Sequence, residues 1–175
     1  MAQTDYIHHY QSPLGGMTMA SNGRSLIGLW FDEQKYFADT INQTMAREEL
    51  LPIFKQTDLW LDIYFKGHNP DFTPPIEMRT TPFRRAVWQI MLKIPFGKTM
   101  SYGEIAAQIA QQKGISKMSA QAIGGAVKHN AISLIIPCHR VIGSNGNLIG
   151  YAGGLDKKLK LLELEKVVSP INPRI

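Results

Sequence analysis

A single cysteine in 175 residues excludes an intramolecular disulfide, so the Cys138 thiol is either small apolar packing or chemistry. A lone free thiol also suits a reducing compartment, and the cytoplasm is the expected location. No apolar run approaches the roughly 20 residues of a membrane span. The start, Met1-Ala2-Gln3-Thr4-Asp5, has neither the basic end nor the apolar stretch of a secretion signal. Internal repeats, low-complexity tracts and the glycine-lysine pattern of a phosphate cradle are missing too. Charged residues make up only 19% against 44% hydrophobic. That balance describes an ordinary globular chain with room for a core, in one large domain or two small ones.

Acid is scarce in one half only. Residues 1–81 carry six Lys/Arg against ten Asp/Glu, whereas residues 82–175 carry thirteen against four, a net of +9. The cationic half holds the thiol. Such asymmetry points to a polyanionic partner, nucleic acid first, with a generally basic surface as the other reading.

Residues 4–31 read as strands, with Ser21-Asn22-Gly23 as a hairpin turn before Leu26–Phe31. His8 and His9 face opposite ways on a strand, which favours a surface pair over metal ligands, and no metal is expected. Asp32 to Arg47 reads as loop and short helix. From Glu48 onward Leu50, Ile53, Phe54, Trp60, Leu61 and Tyr64 recur at helical spacing, and Gly67 suits the helix end. Asn69–Pro75, broken by prolines, is extended and marks a domain boundary.

Thr81-Pro82 reads as an N-cap with proline at the first helical position, followed by an apolar face of Phe83, Val87, Ile90, Met91 and Ile94. Ser101 and Glu104 fit a capping box that opens a second helix. After a polar connection from Gln111 to Met118, Ser119 can cap a third helix, Ala120 to Lys128. The pair fits a helix-turn-helix with a long connection. Gly124 and Gly125 each cost this last helix on the order of 1 kcal/mol relative to alanine. A close backbone partner would offset that, either a packed helix or a nucleic-acid groove.

Around the thiol, Pro137 biases Ile136 towards extended backbone, so Ser133–Ile136 is expected to arrive as a strand-like segment. His139 supplies a base, and Arg140 a cation that would lower the thiol pKa. Side chains alternate on an extended segment, so His139 reaches Cys138 only through a turn or a bridging water. Gly150-Tyr151-Ala152-Gly153-Gly154 could wrap a flat ligand. In the last helix, Leu155–Lys166, Glu165 falls between Leu161 and Leu162 on the wheel. It is either an inward carboxylate in need of a partner or a partly exposed residue at the helix end.

The run Ile136-Pro137-Cys138-His139-Arg140-Val141, with Asn130 before it and Gly150–Leu155 and Leu161–Glu165 after it, resembles the O6-alkylguanine-DNA alkyltransferases, the methylated-DNA–protein-cysteine methyltransferases. The resemblance implies an α+β fold: a small ribonuclease-H-like N-terminal α/β domain, and a mainly helical, winged-helix-like C-terminal domain whose helix-turn-helix binds the DNA minor groove. The expected division is residues 1–75, a linker at 76–80, a DNA-binding and catalytic domain at 81–168 and a tail at 169–175. A monomer is expected, acting on double-stranded DNA that contains alkylated guanine, with no cofactor and no membrane.

By the same resemblance, Cys138 takes the alkyl group from O6 of guanine, with O4 of thymine as a second target, in one irreversible displacement. His139 is the base through water, Glu165 orients it, and Asn130 braces the active-site turn. Tyr102 faces the guanine N3, backbone groups of Cys138, Val141 and Ala152 meet the base edge, and Tyr151 lines the pocket. Gln121 stands where most relatives have an arginine that replaces the flipped base in the stack. Ser119, Ala120 and Gly124 would lie along the groove, with Lys117 and Lys128 on phosphates. Three other readings are a non-catalytic binder of alkylated DNA, a helix-turn-helix regulator with a sensing thiol, and a cysteine hydrolase. Relatives of the first kind lack the cysteine, the second needs an added effector or dimerisation domain, and the third turns over repeatedly.

Overall fold

The computed structural model describes residues 3–167; the expected tail at 169–175 lies outside them. The chain forms two compact units. One contains residues up to Arg79 together with Ala131–Ile135; the other runs from Thr80 to Asn130 and resumes at Ile136.

In the first unit, β1 (Tyr6–Ser12), β2 (Gly15–Ser21) and β3 (Leu26–Phe31) form an antiparallel meander. The expected loop and helix over 32–47 is instead a series of turns that ends in a two-residue strand, β4 (Arg47–Glu48), parallel to β1. Helix α1 spans Pro52–Phe65 rather than starting at Glu48. Pro52 has no N–H to lose and a helix-ready φ, so it begins the helix and leaves Leu50 outside, 52% exposed. Ile53, Phe54, Trp60, Leu61 and Tyr64 are buried.

β3 is buried throughout because its outer edge is also covered. Leu26 N donates to Pro75 O and Glu77 N to Leu26 O, while Leu29 N donates to Ala131 O and Ser133 N to Leu29 O. The segment read as a linker, 76–80, is therefore tied down: Ile76 bridges Leu26, and Arg79 makes a two-pronged ion pair with Asp5. Residues 131–135, expected in the C-terminal domain, belong to this unit by their backbone pairing.

The second unit packs α2 (Pro82–Met91), α3 (Tyr102–Lys113) and α4 (Ala120–Lys128) together, and the buried Trp88 donates its indole N–H to Ala126 O at 2.9 Å. Thr81 caps α2 and Ser101 closes a capping box with Glu104. Gly114, at φ 65°, ends α3 in the left-handed region. The helix therefore continues past Gln111, and the connection to α4 is shorter than the sequence reading placed it. Strand β5 (Met100–Ser101) runs parallel to β6 (Val141–Ile142), and α5 (Leu155–Leu164) closes the unit. No helix among the described residues is long and apolar enough to cross a membrane.

Candidate active site

The approach to the thiol is not extended. Leu134 sits at φ 69° within a turn, and Ile135 N donates to Ser133 O. Pro137, at φ −83° and ψ 70°, makes an inverse γ-turn in which Cys138 N donates to Ile136 O at 2.9 Å. Asn130 braces this turn from below, its amide donating to Ile136 O at 2.7 Å. Cys138–Arg140 then form one turn of 3₁₀ helix. Proline acts here by fixing φ for a tight turn rather than by extending its neighbour, and the turn removes the alternation that would have set Cys138 and His139 on opposite faces.

Cys138 is 5% exposed and His139 fully buried. His139 Nε2 lies 2.5 Å from Glu165 Oε2. Glu165, 3% exposed at the end of α5, also accepts from Arg140 Nε at 2.8 Å, Arg140 Nη2 at 3.3 Å and the backbone N–H of Gly97 at 2.9 Å. Burial alone would raise its carboxyl pKa, but the bonds and charge of His139 and then Arg140 outweigh it and hold the group down to about 2. Burial pulls the imidazole below its usual range, against the bond and charge of Glu165. The resting pair is thus carboxylate and neutral imidazole. With Nε2–H given to Glu165, Nδ1 carries the basic lone pair.

Burial pushes the Cys138 thiol up; the Asn130 side chain, the charge of Lys158 and the backbone N–H groups of Cys138 and His139 pull it back. Arg140 was expected to be the activating cation, but its guanidinium is committed to Glu165 and to Ile94 O, at 2.7 Å. The cation that acts on the thiol is Lys158, which the sequence reading missed. It is fully buried, and its Nζ donates to Val141 O at 2.5 Å and Ile149 O at 2.9 Å. A signal was present: Lys158 stands three residues after Leu155 and four before Leu162, on the apolar stripe of α5. Burial lowers its pKa to about 8 despite the opposing pull of Cys138.

A cavity of about 540 Å3 in this unit is lined by Tyr102, Ala120, Gln121, Gly124, Lys128 and Gly150, among others. Tyr102, first residue of α3, donates its hydroxyl to Ile149 O at 2.9 Å. Burial, then the charge of Cys138, raises its pKa and keeps it a donor. The Tyr151 hydroxyl is buried without a hydrogen-bond partner among the described residues; burial, then the charges of Cys138 and Glu165, raise its pKa. Ala152 lies in the turn closed by Gly154 N to Tyr151 O, and Val141 N donates to Cys138 O.

Ser119 caps α4, accepting from Ala122 N. Lys117 is exposed beside a second groove that it lines with Gly103 and Ala120. A Cβ placed on Gly124 or Gly125 would meet nothing within 4 Å. Among the described residues no packed helix therefore requires these glycines, and Gly124 lines the cavity. His8 is 3.0 Å from Asp58 and His9 bonds Thr18, so the two are not drawn to a common point.

Residues 6–78 match the family model described as 6-O-methylguanine DNA methyltransferase, ribonuclease-like domain, and residues 82–167 match that family's DNA binding domain. The chain belongs to this family. Methylated-DNA–protein-cysteine methyltransferases of Mycobacterium tuberculosis and Haemophilus influenzae are 41% and 36% identical to it, each alignment covering 93% of this chain and, respectively, 94% and 87% of the relative. A crystal structure of Mycobacterium tuberculosis OGT in complex with DNA is similar at a TM-score of 0.80 and 39% identity, over 94% of this chain and 95% of that one. A second M. tuberculosis O6-methylguanine methyltransferase structure gives 0.79 and 38%, over 97% of each chain. Membership of the 6-O-methylguanine DNA methyltransferase family accounts for the α+β architecture.

Proposed function

We infer that this chain repairs DNA by direct reversal, moving an alkyl group from O6 of guanine to Cys138 once per molecule. The observation that carries the reading is a buried thiol, Cys138, followed in the chain by a buried His139 that is bonded to Glu165, in the unit whose α3 and α4 line a cavity; Tyr102, on the lining of that cavity, feels the charge of Cys138. A base inside a duplex is out of reach of a buried thiol, so the lesion must leave the stack, at a cost of a few kcal/mol that is smaller for a poorly paired base.

In the reaction, His139 takes the thiol proton through water, and Glu165 stabilises the imidazolium that forms. The S–C bond forms as the C–O6 bond breaks, and the electron pair passes into the guanine ring. Tyr102 donates its hydroxyl towards N3 and so eases departure. The product thioether has no route back to a thiol, so the protein is consumed. Backbone groups of Cys138, Val141 and Ala152 read the base edge; Val141 O has a second lone pair besides the one given to Lys158. Gln121, exposed at the cavity, enters the stack behind the base with less stacking and no charge. Lys117 and Lys128 meet phosphates, with Ser119, Ala120 and Gly124 along the groove. The reading includes a monomer working in the cytoplasm, which suits its one free thiol.

Titration with an O6-methylguanine duplex, followed by intact-mass measurement, should show one methyl per chain located on Cys138, with no further product. Continued turnover would overturn the stoichiometric reading, and absence of an adduct would favour a binder or sensor. Cys138→Ser should lose transfer and keep DNA binding.

A further inference from the structure

One carbonyl beside the cavity has two donors. Ile149 O accepts the Tyr102 hydroxyl and the Lys158 ammonium, each at 2.9 Å, while the same ammonium holds Val141 O in β6. Tyr102 has a single proton. As long as it rests on Ile149 it is not available to a base in the cavity, so donation towards guanine N3 requires the Tyr102 to Ile149 bond to break.

We propose that Lys158 is a positioning residue for the transfer step: it keeps the Ile149 carbonyl satisfied when the Tyr102 hydroxyl swings to the substrate, and pins that carbonyl and Val141 O as one rim for the base. The reasoning rests on the role given to Tyr102 above. A carbonyl has two lone pairs, and a partner that stays makes the departure of the other nearly neutral. Without Lys158, a base filling the cavity would leave Ile149 O with neither water nor donor, a loss that slows the step by roughly tenfold or more. The surroundings fit a hydroxyl that moves. Gly150, at φ 70°, follows Ile149, and a Cβ there would come within 3.1 Å of the Tyr102 oxygen. The ammonium also lies 5.8 Å from the centre of the Tyr102 ring. A buried lysine is costly, since its charge must be taken out of water. A role in exchanging partners, beside its charge on Cys138, accounts for a lysine at this place better than packing, which a methionine would serve.

The test is a double-mutant cycle on single-turnover methyl transfer from an O6-methylguanine duplex at saturating DNA, with Lys158→Met, Tyr102→Phe and the pair. Lys158→Met should slow transfer about tenfold or more while changing DNA affinity by less than about twofold. In the Tyr102→Phe background, which has no hydroxyl to release, the same change should cost clearly less, only the share that comes from losing the Lys158 charge on Cys138 remaining. Thermal unfolding checks that each variant is folded; if the methionine variant is not, Lys158→Gln, which can still donate to a carbonyl, takes its place and should lie between wild type and the cost expected for methionine. Equal cost in both backgrounds, or no cost in the wild-type background, overturns the proposal. If Tyr102→Phe itself transfers at the wild-type rate, the role of Tyr102 fails, and this proposal fails with it; if the wild-type protein forms no adduct, the functional reading fails first.

Discussion

His139 and Glu165 meet across 2.5 Å with both side chains shut away from solvent, and Arg140 grips the same carboxylate from its other side. Two cationic or potentially cationic groups thus share one acid. Glu165 can hold His139 in one tautomer without itself taking the proton, because Arg140 and Gly97 occupy its remaining lone pairs.

Glu165→Gln should be damaging in two separable ways. It leaves Arg140 buried with an uncompensated charge, at a cost of about 3–5 kcal/mol in chemical denaturation. It also frees His139 from its fixed orientation, so single-turnover transfer should fall by roughly a hundredfold. Retention of both stability and rate would show that the triple contact is incidental.

The same carboxylate sets an acid limit. Its pKa is lowered from 4.5 to about 2, so the folded state binds the proton less readily than the unfolded chain. The stabilisation, on the order of 3 kcal/mol, is complete above about pH 5 and is lost as pH falls towards 2. Urea midpoints measured across that window should decline steeply for the wild type and flatten for Glu165→Gln. Parallel curves would contradict the assignment.

Gly124→Ala should divide stability from binding. Its Cβ would meet nothing within 4 Å among the described residues, so helix propensity alone predicts a gain of about 1 kcal/mol. If the bare backbone faces a groove, duplex affinity should drop. A more stable variant that binds DNA unchanged would leave both glycines without explanation.

Gln121→Arg should raise the second-order repair rate on duplex DNA, by about tenfold, because a guanidinium stacks better behind an extruded base and adds a charge. Transfer from single-stranded DNA carrying the lesion should hardly change. An unchanged duplex rate would mean that the glutamine already captures the open state as well.

Affinity for duplex should fall linearly with the logarithm of salt, as counterion release requires. Lys128→Ala and Lys117→Ala should each weaken binding to any sequence and reduce the slope by about 1. A variant with the wild-type slope removes that lysine from the phosphate contacts.

Much of the frame was legible because its causes are local. Thr81-Pro82, Ser101 with Glu104, and Ser119 start their helices through caps that involve only three or four neighbouring residues. The meander from Tyr6 to Phe31 followed from strand propensity and one turn signal. The short strand at Arg47–Glu48 carried no such signal. It exists because β1 offers it an edge, and a two-residue strand has no periodicity to read.

What the sequence by itself determined is the inventory: one thiol, a neighbouring histidine, a basic half, and a resemblance that names a chemistry. Tertiary structure decided which of these groups meet. It turned Ser133–Ile136 from an expected strand into a tight turn, drew residues 131–135 onto the edge of β3, took Arg140 away from the thiol to hold Glu165, and put Lys158 in its place. The reason is physical. Caps and turns are settled by neighbours along the chain, whereas a buried charge goes wherever distant carbonyls and carboxylates can replace its water, and those partners are set only when the chain has folded.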